Sequence, residues 1–362
     1  MPYRPISCAS SDHGLISSAS AIANLRIGSV PVPNNVVLAP MAGITDAPLR
    51  RMALRYGAGL VVSEMVASQA LEDGHEETVL RAEGEGVAIH AIQLAGNEPA
   101  SMARAARIAE AAGAAIIDIN MGCPAKRVTT GLAGSALLRD LDLAQRIIEA
   151  VVGAVKVPVT LKTRLGWDDA ATVAPELARR AEAIGVQMIT IHGRTRCQFY
   201  NGKADWTAIR QASEAVSIPV LANGDLVRAD DAPAMLAVSG AAGVMIGRGA
   251  QGRPWFPGQV AARLRHGQVP DAPPLDEQCR VLLELYDGWL SHYGRELGVR
   301  CARKHIGWAL AAAAVSVGLT VESANAWRQR LLTLDAPERV VGGIVDAFDD
   351  LACDALAWSA AA

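Results

Sequence analysis

The sequence predicts an α/β chain: a (β/α)8 TIM barrel followed by a small all-helical domain. Three observations carry that prediction. Eight short apolar runs, rich in β-branched residues, recur at residues 36–39, 60–63, 89–94, 116–120, 159–163, 188–192, 219–223 and 243–247. They are continuous rather than alternating, as expected of parallel strands covered on both faces. Ala-, Arg- and Glu-rich segments such as 100–112, 141–152 and 170–184 separate them, with apolar residues at helical spacing. Finally, every run but the first and third ends in a polar or glycine residue, at the positions where a barrel builds its active site. A doubly wound sheet would use fewer strands and show a glycine-rich fingerprint after the first one, which the sequence lacks.

Composition sets the frame for each element. Hydrophobic residues make up 51% of the 362, but aromatics only 4%, so interdigitating aliphatics must fill most of the core. Mean hydropathy is +0.20. The longest uncharged stretch beyond the N-terminal region, 306–321, is still short of the ~20 residues that span a bilayer, so a soluble protein without a membrane partner is expected. Residues 1–33 are expected to form a loose extension, because the Ser- and Ala-rich start lacks a basic end followed by an apolar block. The cysteines at 8, 123, 197, 279, 301 and 353 are scattered with no CxxC pair. Neither a metal site nor a disulfide framework is suggested, and free thiols imply the reducing cytoplasm. A net charge of −3 counts modestly against a nucleic-acid partner, so any basic footprint must be local.

The barrel is expected over 34–265. Its first run ends in Pro40-Met41-Ala42, its second at Glu64 and its third at Gln93. The fourth leads into Asn120-Met121-Gly122-Cys123-Pro124, where Gly and Pro make a tight loop that holds a thiol over the barrel mouth. A lone cysteine is more often a small buried residue; the strand-end position and rigid flanks favour chemistry here. A free thiol, with a pKa of about 8.5, is largely protonated near neutrality, so a cysteine so placed can give a proton to a developing carbanion. As a nucleophile it would need a base, which His192 could supply.

The fifth run ends in Lys162-Thr163-Arg164. Alternate residues of a strand share a face, so Lys162 and Arg164 both point into the mouth, where they suit phosphates or the N1–C2=O edge of a flavin. The sixth ends in His192-Gly193-Arg194-Thr195, read as a ligand-facing loop. Asn223-Gly224-Asp225 and Gly247-Arg248-Gly249 end the last two runs, where many barrels hold phosphate. Glycine lets backbone N–H groups approach phosphate oxygens, and Arg248 adds charge.

After Trp255 the rhythm stops. Residues 270–274 read as a linker, and 275–362 as a second, all-helical domain. Arg295, Arg300, Arg303, Lys304 and His305 concentrate basic residues, and spacings of three and four place Arg300, Arg303 and Lys304 on one helical face. Such a stripe is commonly a solvated surface, but it is also the dense basic patch outside the barrel and hence the candidate RNA contact.

Segments 38–46, 118–124, 134–138, 161–166, 191–195 and 223–225 resemble, in one order, the tRNA-dihydrouridine synthase family, and most of all its bacterial B branch. The resemblance implies an FMN-bound catalytic barrel and a tRNA-binding helical domain. Together they would reduce the C5=C6 bond of a D-loop uridine at the expense of NADPH, with position 17 as the branch-level expectation. Hydride would pass from flavin to C6, and Cys123 would protonate C5. Pro40, Met41 and Ala42 would lie beside the flavin, Gln93 would bond its ring, and Lys162 would reach its pyrimidine side. His192 would lie near ring and phosphate, while Asn223, Gly224, Asp225, Gly247 and Arg248 would hold ribityl chain and phosphate. Asn120, Arg164 and Arg194 would contact uracil or RNA, and Arg300, Arg303 and Lys304 the tRNA. The chain would act as a monomer on an extruded base. Two rival readings are a small-molecule pyrimidine or dihydroorotate-type FMN oxidoreductase, which would not need the helical domain, and a catalytically silent RNA-binding regulator, against which Cys123 and Lys162 argue.

Overall fold

The computed structural model describes residues 25–361; residues 1–24 of the expected extension lie outside the described residues. A short antiparallel hairpin, β1 (Arg26–Ile27) and β2 (Val30–Pro31), comes first. All eight predicted runs follow as parallel strands. They are β3 (Val36–Leu38), β4 (Leu60–Ala67), β5 (His90–Ala95), β6 (Ile116–Met121), β7 (Val159–Arg164), β8 (Met188–His192), β9 (Val220–Asn223) and β10 (Gly243–Ile246). Neighbours in sequence are neighbours in space, and β10 pairs with β3 to close the barrel.

Period-two alternation then decides what faces the axis. Val36, Leu38, Ile92, Leu94, Ile117, Ile119, Leu161 and Ile189 face out and pack under the surrounding helices. Val37, Leu60, Ile116, Met188 and Leu221 face in and form an apolar floor. Further along the same inward rows stand Asp118 and Asn120, Thr160 and Lys162, Thr190 and His192, and Asn223. The barrel axis is therefore oily at the amino-terminal end of the strands and polar at the carboxyl end.

The loose extension expected over 1–33 is corrected for residues 25–33. Ile27 is fully buried, and with Leu25 and Val32 it seals the floor from below. Two-residue strands have no length over which a period can be read, so the pattern could not reveal them.

The helical region consists chiefly of helices Leu275–Tyr293, Arg295–Ser316, Asn325–Leu331 and Pro337–Ala361. Its core, built on Tyr286, Trp289, Ile306, Leu310, Ile344 and Phe348, also takes in Leu49, Met52 and Trp255 from the barrel side. The first two helices approach closely: a Cβ on Gly298 would stand 2.6 Å from the carbonyl oxygen of Trp289. The Ala-rich run 309–314 belongs to this packing, with Ala313 and Ala314 fully buried. No helix among the described residues is long and apolar enough to cross a membrane. Nor, among them, is any group of three or more His, Cys, Asp or Glu placed to hold a metal ion.

Candidate active site

The carboxyl ends of the strands enclose a cavity of about 850 Å³. Cys123 lines it, together with Pro40, Met41, Ala42, Gln93, Lys162, His192, Asn223, Gly224, Asp225, Gly247 and Arg248. Asn120, Arg164 and Arg194 line it as well, whereas Arg300, Arg303 and Lys304 do not. Glu64, the expected polar end of the second run, does not reach it either. A register shift between Val62 and Met65 in β4 puts Met65 into the cavity, and Glu64 instead accepts a hydrogen bond from the Gly43 backbone.

A chain of hydrogen bonds holds the Cys123 loop. The buried Asp118 carboxylate accepts from Thr160 Oγ1 at 2.6 Å and from Gln93 Nε2 at 2.7 Å. That contact sets the Gln93 amide so that its Oε1 accepts from Asn120 Nδ2 at 2.7 Å. Asn120 Oδ1 in turn accepts from the backbone N–H groups of Gly122 and Cys123, at 3.2 and 3.0 Å. Burial pushes the Asp118 carboxyl up, and its bonds from Thr160 and Gln93 hold it back. From the far side, Ser135 donates its N–H and Oγ to the Cys123 carbonyl at 3.1 and 2.9 Å. Gly134, at φ +60°, must be glycine there, since a Cβ would lie 2.9 Å from that same carbonyl oxygen. Arg164 completes the clamp: its Nε donates to the Gly122 carbonyl at 2.8 Å and its Nη1 to the carbonyls of Thr195 and Phe199.

Electrostatics sort the remaining cations. Lys162 Nζ donates to Asn223 Oδ1 at 3.1 Å, and burial followed by Arg164 lowers its ammonium to about 8. His192 is held far below the usual histidine range by burial and by Arg164, Lys162, Arg194 and Arg248 around it. Its Nε2 lies 3.2 Å from Arg194 Nη1, and because arginine only donates, that nitrogen accepts and the ring hydrogen sits on Nδ1. The expectation that His192 could serve Cys123 as a base is therefore corrected: its Nε2 lone pair is taken, its Nδ1 carries the hydrogen, and the cations around it oppose a second proton.

Arg194 is corrected too. It is 1% exposed, and its five N–H donors are spent on Asn201 O, Gly202 O, His192 Nε2 and both oxygens of Asp225. No donor remains for uracil or RNA. Asp225, at φ +54°, also accepts from Ala204 N and from Arg248 at 2.9 Å. It thus positions the half-exposed Arg248 rather than meeting an anion itself. Gly224 packs so tightly that a Cβ would sit 2.7 Å from the side chain of Ala204.

Tyr200 and Phe199, absent from the sequence-derived candidates, also line the cavity. The guanidinium carbons of Arg164 and Arg248 lie 5.4 and 5.1 Å from the Tyr200 ring centroid, and the His192 ring lies 6.4 Å away. Both aromatic residues are exposed, at 45% and 43%. The available signal was an adjacent aromatic pair, in a chain poor in aromatics, shortly after a strand end.

The basic stripe is divided. Arg295 pairs with Glu338 and Arg303 with Asp335. His305 is buried, and burial lowers it to about 3, so it adds no charge. Arg300 and Lys304 form no ion pair among the described residues, and Lys304 reaches the loop after β3, its Nζ 3.3 Å from where a Gly43 Cβ would stand.

Comparison with known proteins identifies the family. The family model for dihydrouridine synthase (Dus) matches residues 37–348. A probable tRNA-dihydrouridine synthase of Rhodobacter capsulatus is 56% identical over 292 residues, 80% of this chain and 90% of that one. The tRNA-dihydrouridine synthase B of Pseudomonas putida is 49% identical, covering 79% of this chain and 86% of its own. That of Vibrio parahaemolyticus is 41% identical, over 91% of this chain and 100% of its own. Among solved structures, the 6-hydroxypseudooxynicotine amine oxidase HisD from Pseudomonas geniculata N1 superposes with a TM-score of 0.53 at 13% identity, covering 73% of this chain and 52% of that one. That likeness concerns the fold alone.

Proposed function

This chain belongs to the dihydrouridine synthase family, and from that premise we propose that it reduces the C5=C6 bond of a D-loop uridine in tRNA, with FMN at the barrel mouth and NADPH as reductant. The residues present suit FMN. The cavity falls within the size range of cofactor sites. Gly224, Gly247 and Arg248 stand after β9 and β10, where barrels hold phosphate. A Cβ on Gly247 would point at Met41 Sδ, 3.6 Å away, so glycine keeps the slot between the first and last loops open.

When bound, the flavin supplies a hydride for C6 of an inserted uracil and is renewed by NADPH. The chain's own residues do the rest. Lys162 and the Gln93 amide bond the ring edge, with Pro40, Met41 and Ala42 beside it and His192 near ring and phosphate. Asn223, Gly224, Asp225, Gly247 and Arg248 secure the ribityl chain and phosphate, Asp225 through its hold on Arg248. The Cys123 thiol gives its proton to C5 and takes another from water. Asn120 and Arg164 aim that thiol by gripping its loop, and Tyr200 offers an exposed face to an extruded base. Arg300 and Lys304, with the exposed Lys126 and Arg127 within the Cys123 loop, meet the phosphate backbone. Position 17 is the expected uridine, and the chain acts as a monomer.

The observation that carries this reading is the meeting of Cys123, Lys162 and the two glycine loops in one cavity. The test is mass-spectrometric mapping of dihydrouridine in tRNA from cells with and without the protein, together with assay of Cys123→Ala. That variant should stay yellow and oxidise NADPH slowly, yet make dihydrouridine at least ~10²-fold more slowly. Normal product formation by it would refute the role. Turnover of free uracil or dihydroorotate would point to the small-molecule enzyme, and a colourless protein to the silent regulator.

A further inference from the structure

Where the barrel meets the helical region there is a second, much smaller cavity of about 20 Å³. Its walls are mostly apolar, but Trp255, Gln278 and His305 also line it. Each is more than nine-tenths buried. Trp255 Nε1, Gln278 Oε1 and His305 Nε2 find no hydrogen-bond partner in the protein. Buried polar atoms are almost always paired, so three residues that line one small space and each carry an unpaired buried atom call for a shared partner.

We propose that this cavity binds a single internal water molecule, which joins the barrel to the helical region through Trp255, Gln278 and His305. The chemistry of the three atoms selects the ligand. Indole Nε1–H can only donate. The orientation of Gln278 is fixed by its Nε2, which donates to Pro273 O at 2.7 Å and Ser316 Oγ at 2.9 Å, so Oε1 is left as an acceptor. The neutral His305 ring can play either part through Nε2. A bare cation would be repelled by the indole N–H and a bare anion by the amide oxygen. Water satisfies both, and three bonds is its usual number in a protein interior. The space exceeds the ~10–15 Å³ that one water needs and is far too small for an organic ligand.

Position gives the site its consequence. Trp255 follows the Gly247-Arg248-Gly249 loop, Gln278 lies on helix Leu275–Tyr293, and His305 adjoins Lys304 on helix Arg295–Ser316. One water thus ties the start of helix Phe256–His266, which follows the candidate phosphate loop, to both helices of the junction. The proposal does not depend on the activity proposed above.

Two measurements test it on the full chain. A crystal structure that resolves solvent should show one ordered peak within hydrogen-bond distance of all three atoms. In urea unfolding, Trp255→Phe and Gln278→Leu should each lower the midpoint, and the double variant should lower it by clearly less than the sum, because a water already deprived of one partner has less left to lose with the second. A dry cavity, a larger molecule in it, direct pairing of the three side chains, or strictly additive shifts would overturn the proposal. The wild-type crystal decides the matter even if a variant fails to fold.

Discussion

Lys162 owes its charge to its neighbours as much as to its own chemistry. Burial and Arg164 bring its ammonium down to about 8, against the pull of Asp118 and Cys123, so it is protonated below that pH and neutral above it. An anionic or electron-rich ligand gains from the charged form alone. The affinity of the apoprotein for FMN should therefore fall as pH rises from 7 to 9, by up to about tenfold for the loss of about one unit of charge interaction. The FMN phosphate, with a second pKa near 6, stays dianionic throughout and cannot produce the trend. Quenching of flavin fluorescence measures it; Lys162→Met should bind more weakly at pH 7 and show a flat profile, and a flat wild-type profile would contradict the assignment. Such residues were legible in the sequence because an inward-facing residue at the carboxyl end of a regular barrel strand faces the mouth. Arg194 and His192 were legible as cavity residues but not in role, because whether a donor or lone pair is free depends on Asn201, Gly202 and Asp225, and nothing in a short motif fixes those partners.

At the scale of elements, the loop carrying Cys123 is pinned at both ends by parts of the chain with no thiol chemistry of their own. Asn120 fixes its start, and the turn at Gly134-Ser135 fixes its exit. Gly134→Ala would force a side chain into the left-handed region, costing about 1–2 kcal/mol, and would also push the Cys123 carbonyl. Since Gly134 does not line the cavity, flavin absorbance and content should be unchanged while single-turnover dihydrouridine formation drops at least tenfold. Equal loss of flavin and rate would mean instead that the barrel mouth as a whole had been disturbed. The eight strands were legible because parallel, doubly covered strands make continuous apolar runs. The β4 bulge that exchanges Glu64 for Met65 was not, since a register shift arises from pairing with β5 rather than from any residue of β4 alone. The hairpin beneath the barrel escaped notice for a similar reason: Leu25, Ile27 and Val32 gain their meaning from the floor they cover.

Across the whole molecule, barrel and helical region meet through polar contacts as well as apolar ones. Asp46 caps helix Ala47–Arg55 by accepting from Leu49 N, and it also accepts from Trp289 Nε1 and Tyr293 Oη at 3.1 Å each. Burial raises its carboxyl to about 6, above the unfolded value near 3.9. The folded state therefore prefers the protonated form: the ionised carboxylate costs stability above about pH 6, and the cost vanishes as pH falls below about 4. Asp46→Asn keeps an acceptor for Leu49 and Trp289 without the charge. By urea unfolding it should be more stable than wild type at pH 7, by at most about 3 kcal/mol, with the advantage shrinking as pH falls from 7 to 4. A constant difference would show that ionisation of Asp46 is not its source. The same junction sets where the basic helix stands, and a chain with net charge −3 must hold RNA with local cations. Pairing within the fold selects them: Arg295 and Arg303 are neutralised by Glu338 and Asp335, whereas Arg300 and Lys304 are left available, Lys304 at the loop that borders the cavity. Replacing Arg300 and Lys304 together with Ala should raise the KM for tRNA and reduce the salt dependence of tRNA binding by about 1.5 in log–log slope, at ~0.7–0.9 per phosphate contact. NADPH oxidation without tRNA should be unchanged. Arg303→Ala should leave that slope as it is, because its charge is already answered by Asp335, and a slope change as large as that of the double variant would show that the ion pair opens when RNA binds.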